Sequence, residues 1–324
     1  MDVDVGAFIS GIHARSNRLT EATRKFEKGE LSETQLQDYW AEDTRALVNL
    51  QIKSNLTIVS DGMLCWPDPL RPLIRNMKGI ILGGYSRWFE TNTFYRKPIV
   101  LGELSLENAS LRKSYRLQAI PRNYNKMIIL PGPYTLTQLS ENKYYHDSWE
   151  LMSAYAEVLS GFVQELLHNS ETLFFMFQEP CLVSESFKPH KDCFSQISEI
   201  LGKIIHNESR TIIHTFFGDI SKIQNLMLEF DNVQLGVDLT ETPPNVLGNF
   251  EGYKLALGIV DSLSPIVETP ILLDKSLEII SRIRFNQIAI CPNTDLRYLP
   301  RKIADRKLRA LKFLKEETEA KIEC

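Results

Sequence analysis

Cysteine is scarce in this 324-residue chain, and what there is does not cluster. Cys65, Cys181, Cys193, Cys291 and Cys324 form no CxxC pair and no framework. Most lie beside apolar or strand-like sequence, which suits the reducing cytosol and argues against a disulfide scaffold. No uninterrupted apolar run approaches the roughly 18 residues of a membrane-spanning helix. The start, Met1-Asp-Val-Asp-Val, has neither the basic flank nor the apolar stretch of a signal peptide. The expected location is therefore cytoplasmic. The net charge is −4 without a concentrated basic face, a poor match to nucleic acid. No GxGxxG or other phosphate-binding loop follows an early strand, which weighs against an open dinucleotide-binding sheet. No linker, repeat or low-complexity segment divides the chain, so residues 1–324 read as one domain.

What is present is an alternation of short buried strands and amphipathic helices. Strands are expected at Val3–Ile9, Leu56–Ser60, Lys126–Leu130, Thr172–Phe177, Thr211–Phe217, Val233–Val237, Lys254–Val260 and Gln287–Ile290, with a further pair within Gly79–Leu104. The spacing predicts helices over Leu19–Lys28 and from Ser32-Glu-Thr-Gln35 to about Ile52, the second opened in capping-box style. Others are expected at Pro69–Met77, after Asp147-Ser148, and at His190–His206, Ser221–Glu229, Ile271–Arg284 and Lys302–Glu319. Trp149, Met152, Ala156, Leu159, Val163 and Leu166 fall three or four apart, one buried stripe on one helix. Such an alternation is what a parallel α/β protein requires. The expected fold is a single (β/α)8 TIM-type barrel with an N-terminal helical extension and an aromatic hairpin insertion. The strand count runs to about nine, and the surplus is assigned to the hairpin in Gly79–Leu104.

In such barrels function gathers at the C-terminal ends of the strands. Those ends are predicted to carry Asp61, Glu103, Gln178, Glu179, Asp219, Asp238, Asp261 and Asp295, a set that points to a polar pocket. The competing reading is that each acid caps the next helix or satisfies loop amides. His214 falls late in a strand where a zinc ligand could project. The second residue after it is Phe216, however, and His214 with Cys291 is too small a set for zinc. No Ser/His/Asp order or activated cysteine nominates a nucleophile. The basic residues of the last helix, from Arg301 to Lys315, lie beside an Ile303/Leu308/Leu311/Leu314 stripe and read first as a solvated outer face, with a docking role as the weaker alternative.

The stretch from Tyr85 to Tyr95 is less generic. Gly83-Gly84 allows a sharp turn before it. Pattern alone leaves open whether it is an aromatic hairpin packed over a barrel end or part of a functional rim. Trp88-Phe-Glu-Thr-Asn92 resembles the Trp-Phe-Asp-Thr-Asn sequence of cobalamin-independent methionine synthases. Further segments are similar to that family in the same order: Lys28-Gly29-Glu30, Gly62-Met-Leu-Cys-Trp-Pro-Asp68, the Gly132-Pro133 turn, Gln178-Glu-Pro-Cys-Leu-Val183, His214-Thr-Phe-Phe-Gly218 and Pro292-Asn-Thr-Asp-Leu296.

The resemblance is to the family's N-terminal half and implies a (β/α)8 barrel. It also implies a place in methyl transfer from a methylated folate or pterin to homocysteine. The family's chemistry rests on a zinc ion in the other half, which keeps the homocysteine thiol deprotonated. This chain departs from the catalytic pattern. Phe216 and Thr294 stand where zinc cysteines would be, and Met63 where the catalytic half has Gly-Glu. Gln178 replaces an acid that grips the homocysteine amino group, and Leu263 replaces the proton-donor histidine.

The resemblance thus implies no catalytic residue and no metal on this chain, with zinc carried by a separate core subunit as partner. Residues implied to contact the donor or substrate are Arg15, Arg18, Asp61, Trp66, Asp68, Trp88, Asn92, Glu103, Gln178, Glu179, Asp219, Asp238 and Asp261. The family's Arg-x-x-Lys for the donor's glutamate tail falls around Arg18, with Glu21 where lysine is expected. Two alternatives stay open: an autonomous barrel methyltransferase or decarboxylase-like enzyme, and a purely structural partner of the core subunit.

Overall fold

A computed structural model describes residues 5–107, 111–167, 173–206, 210–230 and 232–323. The expected strand starts at Val3 and Thr172 lie outside them, as does Cys324. In chain order the elements are β1 (Val5–Ala7), α1 (Asn17–Glu27), α2 (Glu33–Lys53), β2 (Ile58–Val59), α3 (Arg71–Ile74), β3 (Met77–Arg87) and β4 (Phe94–Leu106). Next come β5 (Asn125–Pro131), α4 (Pro133–Leu139), β6 (Glu141–Asn142), α5 (Ser148–Leu167), β7 (Leu173–Gln178), α6 (Phe194–Gly202) and β8 (Thr211–His214). The rest are α7 (Gln224–Met227), β9 (Gln234–Asp238), β10 (Lys254–Val260), α8 (Pro270–Ser281), β11 (Gln287–Pro292) and α9 (Arg301–Glu323).

Eight strands form one parallel sheet in the order β1-β11-β10-β9-β8-β7-β5-β2. β1 and β2, at its two edges, meet through Thr57. The Thr57 amide donates to the Ala7 carbonyl at 2.9 Å, and the Ala7 amide donates to Thr57 Oγ1 at 2.9 Å. A side-chain hydroxyl thus supplies part of the closing ladder, and the sheet becomes a (β/α)8 barrel of the TIM type. Thr57→Val keeps the shape of the side chain but leaves the Ala7 amide without its acceptor. An unmet buried donor costs about 1–3 kcal/mol, so the urea midpoint should fall accordingly. An unchanged midpoint would show that the seam holds without the hydroxyl.

The barrel strands are apolar without alternation because both faces are covered; Met127–Leu130, Met176–Phe177 and Leu255–Leu257 are buried throughout. The helices bury one stripe each, and α5 buries Leu151, Met152, Tyr155, Ala156, Leu159, Phe162, Val163 and Leu166. Asp147 opens α5, its Oδ1 accepting from the Trp149 and Glu150 amides at 2.9 Å each. The capping box at Ser32 and Gln35 forms as the sequence predicts.

The surplus strands are the hairpin. β3 and β4 pair antiparallel outside the barrel, and β6 adds a short parallel edge to β4. Glu103 therefore sits exposed within β4 and not at the end of a barrel strand, because β4 continues to Leu106 opposite Met77.

Several expected elements are shorter or broken, among them the Leu56–Ser60 strand, which keeps only Ile58–Val59, and the first strand, which stops at Ala7 short of Ile9. The Pro69–Met77 helix shrinks to α3, since Met77 already belongs to β3. The strand expected to reach Phe217 stops at His214, and Phe217 adopts φ 64°, which turns the chain. The His190–His206 helix begins as a 3-10 turn at Lys191–Cys193 before α6. Ser221–Glu229 divides into a 3-10 turn at Ile220–Ile223 and α7. One helix was not expected at all: α4, directly after Gly132, with Pro133 in its first turn. Among the described residues no helix is long and apolar enough to cross a membrane.

Candidate functional site

The carboxylates at the strand ends are held mostly by the chain itself. Asp61 accepts from the Met63 amide at 2.9 Å and the Arg116 amide at 2.6 Å. Asp238 accepts from the Phe217 amide at 3.1 Å, the Thr240 amide at 3.0 Å and Asn293 Nδ2 at 3.2 Å. Asp261 accepts from the Leu263 and Ser264 amides, and Asp219 from the Ser221 amide. Asp68 accepts from the amides of Leu70 and Arg71 and pairs with the Arg71 guanidinium at 2.9 Å. Burial pushes Asp61 and Asp238 above the usual carboxylate range, against the pull of these donors.

Glu179 follows β7 and reaches across to the N-terminus of α4. Its two oxygens accept from the Tyr134 amide at 2.9 Å and the Thr135 amide at 2.7 Å. Gly132 is required there, because a Cβ would lie 2.2 Å from Glu179 Oε1. Burial pushes the Glu179 carboxyl up to about 7. Gln178 Nε2 donates to the Ser10 carbonyl at 2.8 Å. These groups line the C-terminal end of the barrel, yet their hydrogen bonds run inward to the scaffold.

Aromatic rings close the same end. The turn between β3 and β4 carries Phe89 onto Phe217 (centroids 5.4 Å) and Phe187 (6.2 Å), and Phe217 meets Phe216 and Tyr298. Trp88 lies behind Phe89, buried against it and Tyr95. Trp66 is buried too, with Nε1 donating to the Ser114 carbonyl at 3.1 Å. Asn92 is exposed and accepts from Arg87 at 3.2 Å.

His214, at the end of β8, is fully buried beside Phe216, and Gly236 leaves the room its ring occupies. Among the described residues neither ring nitrogen has a hydrogen-bond partner. Burial lowers its pKa to about 3, so the ring is neutral. The zinc that the family's chemistry uses does not fit this donor set. Phe216 and Thr294 offer no thiolate, Cys291 is one buried thiol that burial pushes up, and among the described residues no three His, Cys, Asp or Glu side chains meet as a metal site.

Open space lies beside the mouth, in a cleft of about 410 Å³ between the loop after β1, Trp66-Pro67, the hairpin's Thr93-Phe94 and the Leu299–Arg301 segment. Three guanidinium groups line it. Arg297 pairs with Asp295 at 3.0 Å, and Arg301 with Asp43 at 3.0 Å and Asp305 at 2.7 Å. Among the described residues Arg15 hydrogen-bonds only carbonyls, those of Leu64 at 2.8 Å and Trp66 at 3.0 Å. Its charge enters the cleft without a carboxylate bonded to it among the described residues, and burial lowers its pKa. Of the expected contact residues, only Arg15 and Trp66 line this cleft. Arg18 is on the outer surface, bonded to Glu42 at 2.6 Å and lying over the Tyr39 ring. Arg297 and Arg301 were not expected here. Arg301 reads in sequence as one more charge on a basic helix, and only barrel closure carries it to the loop after β1.

Residues 83–264, more than half of the chain, match the family model of the cobalamin-independent synthase N-terminal domain. The chain belongs to the cobalamin-independent methionine synthase family. Its curated relatives include the methionine synthases of Sulfurisphaera tokodaii, 22% identical over 97% of this chain and 93% of that one, and Saccharolobus solfataricus, 23% identical over 97% and 96%. Among solved structures, a B12-independent methionine synthase from Shewanella sp. W3-18-1 in complex with selenomethionine superposes with a TM-score of 0.75 at 17% identity, covering 96% of this chain and 97% of that one. A putative B12-independent methionine synthase from Listeria monocytogenes gives 0.73 at 15%, covering 96% and 98%. These likenesses extend the barrel fold over 96% of the chain, beyond the segment that matches the family model.

Proposed function

We propose that this member of the methionine synthase family acts in methyl transfer from a methylated folate or pterin to homocysteine as a non-catalytic subunit. The zinc and homocysteine would sit on a separate core subunit, and the cleft around Arg15 would receive the donor's anionic tail. The observation that carries this reading is the Arg15 guanidinium, directed into a cleft of suitable size with no carboxylate bonded to it among the described residues. Arg297 and Arg301 also line the cleft, but Asp295, Asp43 and Asp305 offset their charge, so the cationic character of the cleft rests on Arg15. The zinc-poor donor set around His214, and a half-exposed Leu263 where the family's proton donor would stand, support a role without chemistry of its own.

A second reading has one specific support. The curated relatives matched over nearly their whole length are themselves named methionine synthase, so an autonomous enzyme of this size remains the rival.

The experiment is calorimetric titration of the chain with two methylated folates, one bearing a polyglutamate tail and one lacking it, paired with a methionine-formation assay on the chain alone. The tailed donor should bind more tightly. A hydrogen bond to a charged group contributes about 1.5–3 kcal/mol, so Arg15→Gln should weaken the tailed donor by at least about tenfold and leave the tailless one unchanged. Equal affinity for both donors would dismiss the tail role, and methionine formed by the chain alone would establish the autonomous reading instead.

A further inference from the structure

The outer face of α9 carries a stripe that nothing in the barrel uses. Lys302, Arg306, Arg309, Phe313, Glu316 and Ala320 follow one another three or four residues apart, and all are exposed. With a rise of 1.5 Å per residue the stripe runs for about 27 Å. Its first half is basic, its centre is a phenylalanine 60% exposed, and beyond that lie Glu316, its one acid, and Ala320. Among the described residues no ion pair engages Lys302, Arg306, Arg309 or Glu316; those of α9 involve Arg301, Asp305, Lys307, Lys315, Glu319 and Lys321.

Beside the stripe is a groove of about 280 Å³, formed by Val267–Pro270 together with Arg306, Arg309, Ala310 and Phe313. The loop that makes its far wall is fixed to α9 by a buried ion pair, Lys307 Nζ to Glu268 Oε1 at 2.6 Å. Ile266, Ile271 and Leu272 extend the apolar surface at its edge, Ile271 being 88% exposed. An apolar cluster of this extent, rimmed by charge, marks an interaction surface more often than chance exposure.

The order of charges along the stripe identifies the occupant. We infer that α9 pairs antiparallel with α9 of a second copy of this chain, about a two-fold axis passing between Arg309 and Phe313. In that register Arg306 of each copy faces Glu316 of the other, Lys302 faces Ala320 next to Glu319, and Phe313 meets Arg309 at the groove. Every contact occurs twice, as an isologous interface demands. A foreign acidic helix would complement only the basic half and would leave Glu316 facing like charge. The second copy complements both halves at once. The phenylalanine supplies an apolar anchor that can enter the facing groove, while the charges set direction and register.

Sedimentation equilibrium of the full chain at low salt should show a mass that rises with concentration toward twice 37.2 kDa. Phe313→Asp should abolish the rise. Arg306→Glu opposes two carboxylates to two others across the axis, and Glu316→Arg does the same with guanidinium groups. Each alone should weaken the dimer on the order of tenfold, two pairs of modest strength being reversed at once. Mixed in equal amounts, the two single variants should recover association as a heterodimer, because both facing pairs are then of opposite sign. These positions are exposed, so the variants should keep the parent's melting temperature and circular dichroism. A chain that stays monomeric at every concentration overturns the inference. So does a dimer indifferent to the reversals, a mixture that associates no better than its components, or a monomer that uses this face only for a different protein.

Discussion

Replacing Trp88 by alanine should lower the unfolding free energy by about 3–5 kcal/mol, the usual result of truncating a buried tryptophan. The indole is 1% exposed and lies edge-on to Phe89 and Tyr95, with centroids 5.0 and 5.8 Å away. It also organises the turn between the hairpin strands. The Trp88 amide donates to the Thr93 carbonyl at 2.9 Å, the Trp88 carbonyl accepts from Thr91 Oγ1 at 2.6 Å, and Phe89 takes φ 48°. That positive φ turns Phe89 toward Phe217 and Phe187 over the barrel mouth. Truncation at Trp88 leaves a cavity behind the ring that closes the barrel. It also loosens Thr93 and Phe94, which line the Arg15 cleft. Urea unfolding of the variant is the measurement, with donor titration beside it. A drop in stability with a smaller drop in affinity assigns the segment to the core, as its burial suggests. Stability within about 1 kcal/mol of the parent, together with lost donor binding, would assign it to the binding surface instead.

The sequence distinguishes the hairpin from the barrel strands for a physical reason. Strands covered on both faces are apolar throughout, as in Met127–Leu130, whereas Gly79–Leu104 mixes glycines, aromatics and charges as an exposed two-stranded sheet does. The helix α4 escapes the same reading. Seven residues are too few to display a helical period, and Pro131-Gly-Pro133 signals a turn. What sets that helix is Glu179, more than forty residues later in the chain.

The acids at the strand ends were visible, but their partners were not equally so. Asp61, Asp219, Asp238 and Asp261, and Asp68 in the loop after β2, each accept from the amide two residues ahead, the local turn that aspartate favours. Capping accounts for most of the set, and the polar pocket it suggested is filled by the chain's own amides and by aromatic rings. The cleft could not be read from local pattern. Arg15 and Arg301 are brought to one space only by closure of the barrel, with Arg301 Nη1 donating to the Ala14 carbonyl at 3.2 Å.

Glu179 should make the protein lose stability as pH rises from about 4.5 through about 7. Its folded pKa, about 7, lies above the ordinary 4.5 of an unfolded glutamate because burial penalises the carboxylate. Between those values the folded chain holds a proton that the unfolded chain has lost. Stability from this group is therefore complete below about pH 4.5 and is lost as pH rises through about 7. A shift of this size is worth roughly 3 kcal/mol. His214 works in the opposite sense. Its folded pKa of about 3 lies below the ordinary 6.5, so its contribution is present above about pH 6.5 and lost as pH falls toward 3. From about pH 4.5 to 6.5 the two slopes cancel, and the pair by itself gives a plateau. Glu179→Gln removes one limb and leaves the other. The variant loses an acceptor at the α4 amides, so at pH 4.5 it should be no more stable than the parent. Relative to the parent it should then gain roughly 3 kcal/mol by pH 8. Urea unfolding of both chains across this range measures the difference directly. If the amides of Tyr134 and Thr135 outweigh burial, the parent's carboxylate is favoured in the fold, and the variant will fall further behind as pH rises. That outcome would make Glu179 a charged helix cap at neutral pH, and it would leave His214 without an opposing limb.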